Sequence, residues 1–381
     1  MTELSTISTT NTRADALLAT YERAGYTRVQ PAILQPAEPF LDLAGEDIRR
    51  RLYLTADESG REFCLRPDLT IPVVRDYLAS PDAGRPANFC YLGPVFRQWG
   101  DAAGEFLQAG IESFGRADKA ATDAEMLTLA LEAAAHYGLT RPDIRMGDVA
   151  LFAELVAALD LAPAWKRRLV KHFNHKSSLA HDLERLVLSG TNARPEYQGV
   201  LAALAGSDPK AARALVTDLL SIAGITAVGG RSVGEIADRF LEQAALGAAT
   251  SLPQEARALI ERFLAITGDP DQALAELGAL AADAKLNLEP ALDLFESRTG
   301  FLAARGVNVR QIRFATAFGR GFDYYTGMVF ELHDPSGRAD SQLIAGGRYD
   351  GLPSLLGAPA PIAAVGLAVW IEQLALTGSA P

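Results

Sequence analysis

The chain has 381 residues, 49% hydrophobic and 22% charged, an ordinary soluble composition with enough length for two folded units. Its 47 acidic against 36 basic residues leave a formal charge of −11, which argues against nucleic acid as a partner because phosphate binding is driven by neutralising cations. Cys64 and Cys90 each sit in an apolar, strand-like run and read as small buried hydrophobes in a reducing compartment.

The opening MTELSTISTTNTR lacks both the basic and the apolar region of a signal, so it reads as a loose tail. Leu17, Leu18 and Tyr21 at helical spacing predict a helix over 14–24, stopped by Gly25. A strand follows over 26–34, with Pro31 at an edge or bulge. RRLYLTADESGREFCLRPD (50–68) reads as a hairpin around a turn at Asp57–Gly60. A short helix over 70–78 carries Pro72 in its first turn, where a missing N–H is harmless. NFCYLGPVFRQW and GEFLQAGIESFG form a second strand pair, and a strong helix over 123–137 closes at Gly138.

From about 149 to about 302 the pattern changes to Ala- and Leu-rich 3.6-residue periodicity, as in VALFAELVAALDL, with almost no strand signal. This predicts a helical insertion over 149–302 between two β-rich parts, 1–148 and 303–381, that together make one discontinuous core. Within the insertion, His172 and His175 have no third ligand nearby and basic residues just before them. They read as a solvated helix face, and no metal or cofactor is expected. Strands return after 309 in QIRFATAF, GMVFELHD, SQLIAGG and PIAAVGLAVWI. Hairpin links rather than regular crossovers predict an α+β fold, an antiparallel sheet flanked by helices. No run approaches the ~20 apolar residues needed to cross a bilayer, so a cytoplasmic protein without a membrane partner is expected.

Four stretches carry the functional signal: LRPDLT (65–70), GPVFRQWGDAAGEFLQAGIESFG (93–115), GRGFDYYTGMVFEL (319–332) and AGGRYDGL (345–352). The last, taken alone, is a glycine turn with an Arg–Asp pair. In this order and spacing the set resembles the catalytic core of histidyl-tRNA synthetase, a class II synthetase, over about 13–136 and 313–374. The resemblance implies a histidine pocket. Asp68 and Thr70 stand where the family meets the ligand ammonium, and Arg97 stands where it meets the carboxylate. Gln108 and Glu112 share one face of the next strand; Arg320, Tyr325 and Tyr349 match the family's arginine and its imidazole-facing tyrosines. The chemistry is coherent, since acidic groups suit an ammonium and a guanidinium suits a carboxylate.

The nucleotide side departs from the family. Trp99 stands where a glutamate is expected, Trp370 where a glycine is, and Gln373 where an arginine is. No arginine lies between Arg97 and Arg116, so the fixed positive charge that steadies a triphosphate is missing, and the site reads as a degraded ATP clamp with no catalytic residue. The sequence ends soon after this motif, so no anticodon-binding domain and no tRNA partner are expected. A retained amino-acid pocket beside a dismantled nucleotide site resembles the regulatory subunits of ATP phosphoribosyltransferase. That resemblance implies a non-catalytic subunit that joins a short catalytic chain for the first step of histidine biosynthesis, with histidine as feedback effector. It also implies a homodimer, built through about 27–54, inside a larger hetero-oligomer. Two other readings stay open: an active synthetase paralogue, and a stand-alone histidine-binding module. The pocket residues also have a bland reading, a satisfied polar core inherited with the fold while the effector binds elsewhere.

Overall fold

The structure, a computed structural model, describes residues 2–43, 49–98, 104–188, 209–222, 254–322, 324–336 and 342–377. Two compact units divide the chain: Met1–Glu154 with Arg262–Pro381, and Leu155–Glu261.

The first unit is built on a nine-stranded sheet in the order β1-β5-β6-β12-β11-β10-β7-β9-β8. Its strands are β1 (Thr27–Arg28), β5 (Ala87–Phe96), β6 (Glu105–Phe114), β7 (Asp143–Asp148), β8 (Thr267–Gly268), β9 (Ile312–Ala315), β10 (Met328–His333), β11 (Ile344–Arg348) and β12 (Ala364–Trp370). All pairings are antiparallel except β1 with β5 and β7 with β9, as expected of an α+β fold. A small second sheet orders β2 (Leu34–Pro36), β4 (Glu62–Leu65) and β3 (Leu54–Ala56). The hairpin read over 50–68 is β3–β4, turned by Gly60 at φ +82°, a conformation glycine adopts without cost.

Several expectations change. The strand read over 26–34 is two short strands in different sheets, broken around Pro31, whose carbonyl accepts from the buried Arg66 guanidinium. Helix α1 runs Thr2–Arg23 rather than starting near Ala14, so its first residues are no loose tail. Once a helix is nucleated by its packed face, here Ala14, Leu17, Leu18 and Tyr21, each further residue adds a hydrogen bond at little cost. β7, in the polar-looking DIRMGD, went unread although it pairs with β10 and β9 inside the sheet.

The expected insertion over 149–302 is also cut short at its C-terminal end. After α2 (Thr70–Ala79) and α3 (Lys119–His136), helices α4 (Pro270–Ala284) and α5 (Glu289–Ala304) belong to the first unit. Phe295 of α5 meets Phe314 of β9 edge-on with ring centres 4.9 Å apart, and Arg298 reaches Asp123 of α3 at 2.9 Å. Helical periodicity marks an apolar face but cannot say which core that face serves.

Within the second unit, helices span Pro163–His172, Lys176–Leu188 and Pro209–Ile222. Trp165, Leu169, Leu179 and Leu183 are buried there. His172 does not sit on a merely solvated face: its Nδ1 bonds the buried Asp182 carboxylate, which also takes Arg168 at 2.8 Å.

Candidate functional site

The middle of the large sheet is floored with small residues. Ala345 opposes Ala368 across β11 and β12, and Ala368 opposes Gly110 of β6. Side chains directly across a strand pair share a face, so this row leaves a hollow. Residues two positions along β6 line it: Gln108 and Glu112 are both buried and face the same way as Gly110. A side chain at Gly366 would overlap the Glu112 carboxylate and the Ile111 carbonyl. We expect Gly366→Ala to lower unfolding free energy by roughly 1–3 kcal/mol in a denaturant melt, the cost of overpacking a closed site. A loss below a few tenths would mean that Glu112 swings aside freely.

Around this floor, Asp68, Thr70, Arg97, Gln108, Arg320, Tyr325 and Tyr349 line one cavity. Glu112 lies at its base. Thr70 Oγ1 donates to Glu112 Oε1 at 2.7 Å and Tyr91 Oη donates to the same oxygen at 3.1 Å, while Tyr349 Oη donates to Oε2. The structure therefore gathers all eight residues of the expected pocket in one place.

Burial pushes the Glu112 carboxyl up to about 7, against the three hydroxyl donors that pull it down. Burial likewise raises Asp68, opposed by the Arg97 charge and by backbone N–H groups. Arg97 is buried; its Nε donates to the Pro67 carbonyl at 2.8 Å and its guanidinium lies 5.5 Å from the Phe106 ring centre. Arg320 donates to Tyr325 Oη and to Glu331 Oε1 at 3.4 Å, and it stacks on Tyr325 and Phe322.

Asp68 Oδ2 and Gln108 Oε1 are buried side-chain acceptors with no hydrogen-bond partner among the described residues. A buried acceptor left alone costs about 1–3 kcal/mol, so two in one cavity mark a place built to receive donors. The free room is about 20 Å3, enough for one water and far below the ~300–1,000 Å3 of a small-molecule site.

Trp370, the last residue of β12, opposes Gln108 and closes one side of the cavity. Gln373 is half-buried in the following helix, α6 (Ile371–Thr377). Trp99 lies outside the described residues. Sequence reasoning missed Phe322 and Tyr324, which line the cavity, and Tyr91, which holds Glu112. Tyr91 opposes Gly110, where the absence of a side chain leaves room for its phenol to reach across.

The family model described as histidyl-tRNA synthetase matches residues 5–229 and 211–374. ATP phosphoribosyltransferase regulatory subunits from Brucella ovis and Brucella abortus are each 44% identical over 355 residues. The match covers 92% of this chain and 93% and 92% of those two proteins. A solved ATP phosphoribosyltransferase regulatory subunit/histidyl-tRNA synthetase from Bacillus halodurans is similar with TM-score 0.65 at 20% identity, covering 98% of this chain and 80% of that one. Histidyl-tRNA synthetase from Nostoc sp. PCC 7120 gives 0.61 at 18% identity, covering 96% and 70%. At such identities the structures speak for the fold alone, and that fold is the class II, histidyl-tRNA synthetase-like one.

Proposed function

The chain belongs to the family of ATP phosphoribosyltransferase regulatory subunits, and from that premise we propose that it senses histidine in the cavity between β6, β11 and β12. It is a non-catalytic regulatory subunit of ATP phosphoribosyltransferase and works with a catalytic subunit in histidine biosynthesis. The observation that carries the histidine reading is the pair of unpartnered buried acceptors, Asp68 Oδ2 and Gln108 Oε1, facing Glu112 and the tyrosines. An amino acid brings the missing donors, an ammonium for Asp68 and Gln108, and its imidazole N–H joins or replaces the hydroxyls of Thr70, Tyr91 and Tyr349 on Glu112. Arg97 takes the carboxylate. Trp370 at the cavity wall and Gln373 beyond it support loss of nucleotide chemistry, and with it of tRNA charging.

A cavity with room for one water must open to admit histidine. Arg320, Phe322, Tyr324 and Tyr325 line it from the segment before β10, and Arg320 ties that segment to Glu331 of β10 at 3.4 Å. Closed and opened forms bind histidine unequally, which is the condition for a ligand to shift a complex between states. Dimerisation through the small sheet has support in its exposed apolar residues Ile33, Leu34 and Leu54, the start of a larger assembly with a short catalytic chain.

Calorimetric titration of the purified chain with histidine tests the reading. Saturable binding is expected, weakened about tenfold in Arg320→Ala. Unchanged affinity in a folded variant would place the effector elsewhere. Histidine-dependent pyrophosphate exchange by the chain alone would overturn the non-catalytic reading.

A further inference from the structure

A larger cavity, of about 530 Å3, lies in the same unit toward the β8 edge of the sheet. Cross-strand pairing places it on the face that carries the first one. Ala345, on the floor of the first cavity, opposes Glu331, Glu331 opposes Arg145, and Arg145 opposes Arg313. Arg145 and Arg313 line the second cavity, two and three strand spacings from Ala345, or roughly 10 and 14 Å.

Its chemistry is unlike that of the rest of this acidic chain. Arg145, Arg310 and Arg313 line it beside Phe318, while the side chains of Ile312 and Phe314 are buried on the opposite face of β9. Arg145 and Arg313 share the Asp143 carboxylate, which cannot occupy the ten N–H donors of two guanidinium groups. Arg310 is exposed and makes no ion pair among the described residues. The neighbouring start of α4 adds no strong donor, because the Asp269 side chain already takes the Gln272 N–H in a capping box. The positive charge is therefore all guanidinium, a fork geometry suited to a dianion.

We propose that this cavity is a second ligand site, which takes a small phosphate monoester with a flat apolar body. The arginines hold the phosphate, which carries about −1.5 to −2 charge near neutrality. The Phe318 ring takes the body. The volume falls in the small-molecule range of ~300–1,000 Å3. Three cations in a chain of net charge −11 are too few for a nucleic acid strand. Glu331 connects the two cavities: it accepts from Arg320 of the first and stands opposite Arg145 of the second. An anion on Arg145 thus acts on the charge balance around Arg320 of the first cavity.

The test is calorimetry on the full chain with adenosine monophosphate, inorganic phosphate and adenosine as separate probes. Adenosine monophosphate is expected to bind saturably in the micromolar to millimolar range, at least tenfold more tightly than either other probe. Arg310→Gln, at an exposed residue outside every ion pair, is expected to weaken it about tenfold, and Arg310→Gln/Arg313→Gln further, with circular dichroism and histidine binding unchanged. No saturable binding of adenosine monophosphate overturns the proposal, as does equal binding of adenosine. Equal binding of inorganic phosphate overturns the apolar part. Binding that survives both substitutions places the nucleotide elsewhere and overturns the site.

Discussion

Arg298→Ala is expected to lower the unfolding free energy by about 3–5 kcal/mol, the usual result of removing one partner from a buried charge network. Arg298 sits on α5 with 1% of its side chain exposed and divides its guanidinium between two elements. Nε meets Asp123 of α3 at 2.9 Å and Nη1 meets Asp148 of β7 at 2.7 Å. Asp123 keeps Arg348 as a partner at 2.6 Å after the substitution, but among the described residues Asp148 keeps only the Ala150 N–H at 2.9 Å. A carboxylate at 2% exposure with one neutral donor is the costly product. Arg298→Met, which restores most of the volume without the charge, should recover little. Arg298→Met/Asp148→Asn should recover more, because the stranded charge is gone too. Urea melts of the three variants decide it: a loss under 1 kcal/mol in Arg298→Ala means the aspartates find water or another cation. The network also borders the cavity, since Arg348 precedes Tyr349, so a loosened α5 is expected to weaken histidine binding as well.

This network shows what the sequence could and could not give. Short apolar runs bounded by turn residues located β5, β6, β10, β11 and β12; β5 alternates in burial, whereas β11 is buried throughout and β6, β10 and β12 nearly so. The eight pocket residues were legible because their spacing matches a known family motif by motif. Arg298 was not. It lies in an Ala- and Leu-rich helical stretch like those of the second unit, and only its partners, 150 and 175 residues away, reveal a core position. β7 was hidden for a similar reason: Asp148 and Arg145 look like loop residues until the pairing of β7 with β10 and β9 is known. The second cavity is further still from local pattern, since its arginines meet only through strand pairing.

Glu112→Gln is expected to weaken histidine binding about a hundredfold at pH 8 and to remove most of its pH dependence. The carboxylate is the form that accepts an imidazole N–H, and a hydrogen bond to a charged group is worth about 1.5–3 kcal/mol. In the free protein burial raises the Glu112 carboxyl to about 7, so roughly a tenth is ionised at pH 6 and nearly all at pH 8. Affinity should therefore rise about tenfold over that window, with a proton released on binding below pH 7. Free histidine loses its own imidazole proton over part of the same range, and the glutamine variant isolates that contribution because it keeps the ligand and loses the carboxylate. The free protein should show the opposite trend in stability. Its folded-state carboxyl titrates above the unfolded one, so the unfolded chain gives up this proton first and stability falls as pH rises from about 4.5 to about 7. Titrations at pH 6 and pH 8, with and without the substitution, test the affinity, and urea melts of both proteins from pH 4.5 to pH 7 test the stability. A wild-type affinity that is flat over the window, or a glutamine variant with the same slope as wild type, would remove Glu112 from the ligand's surroundings.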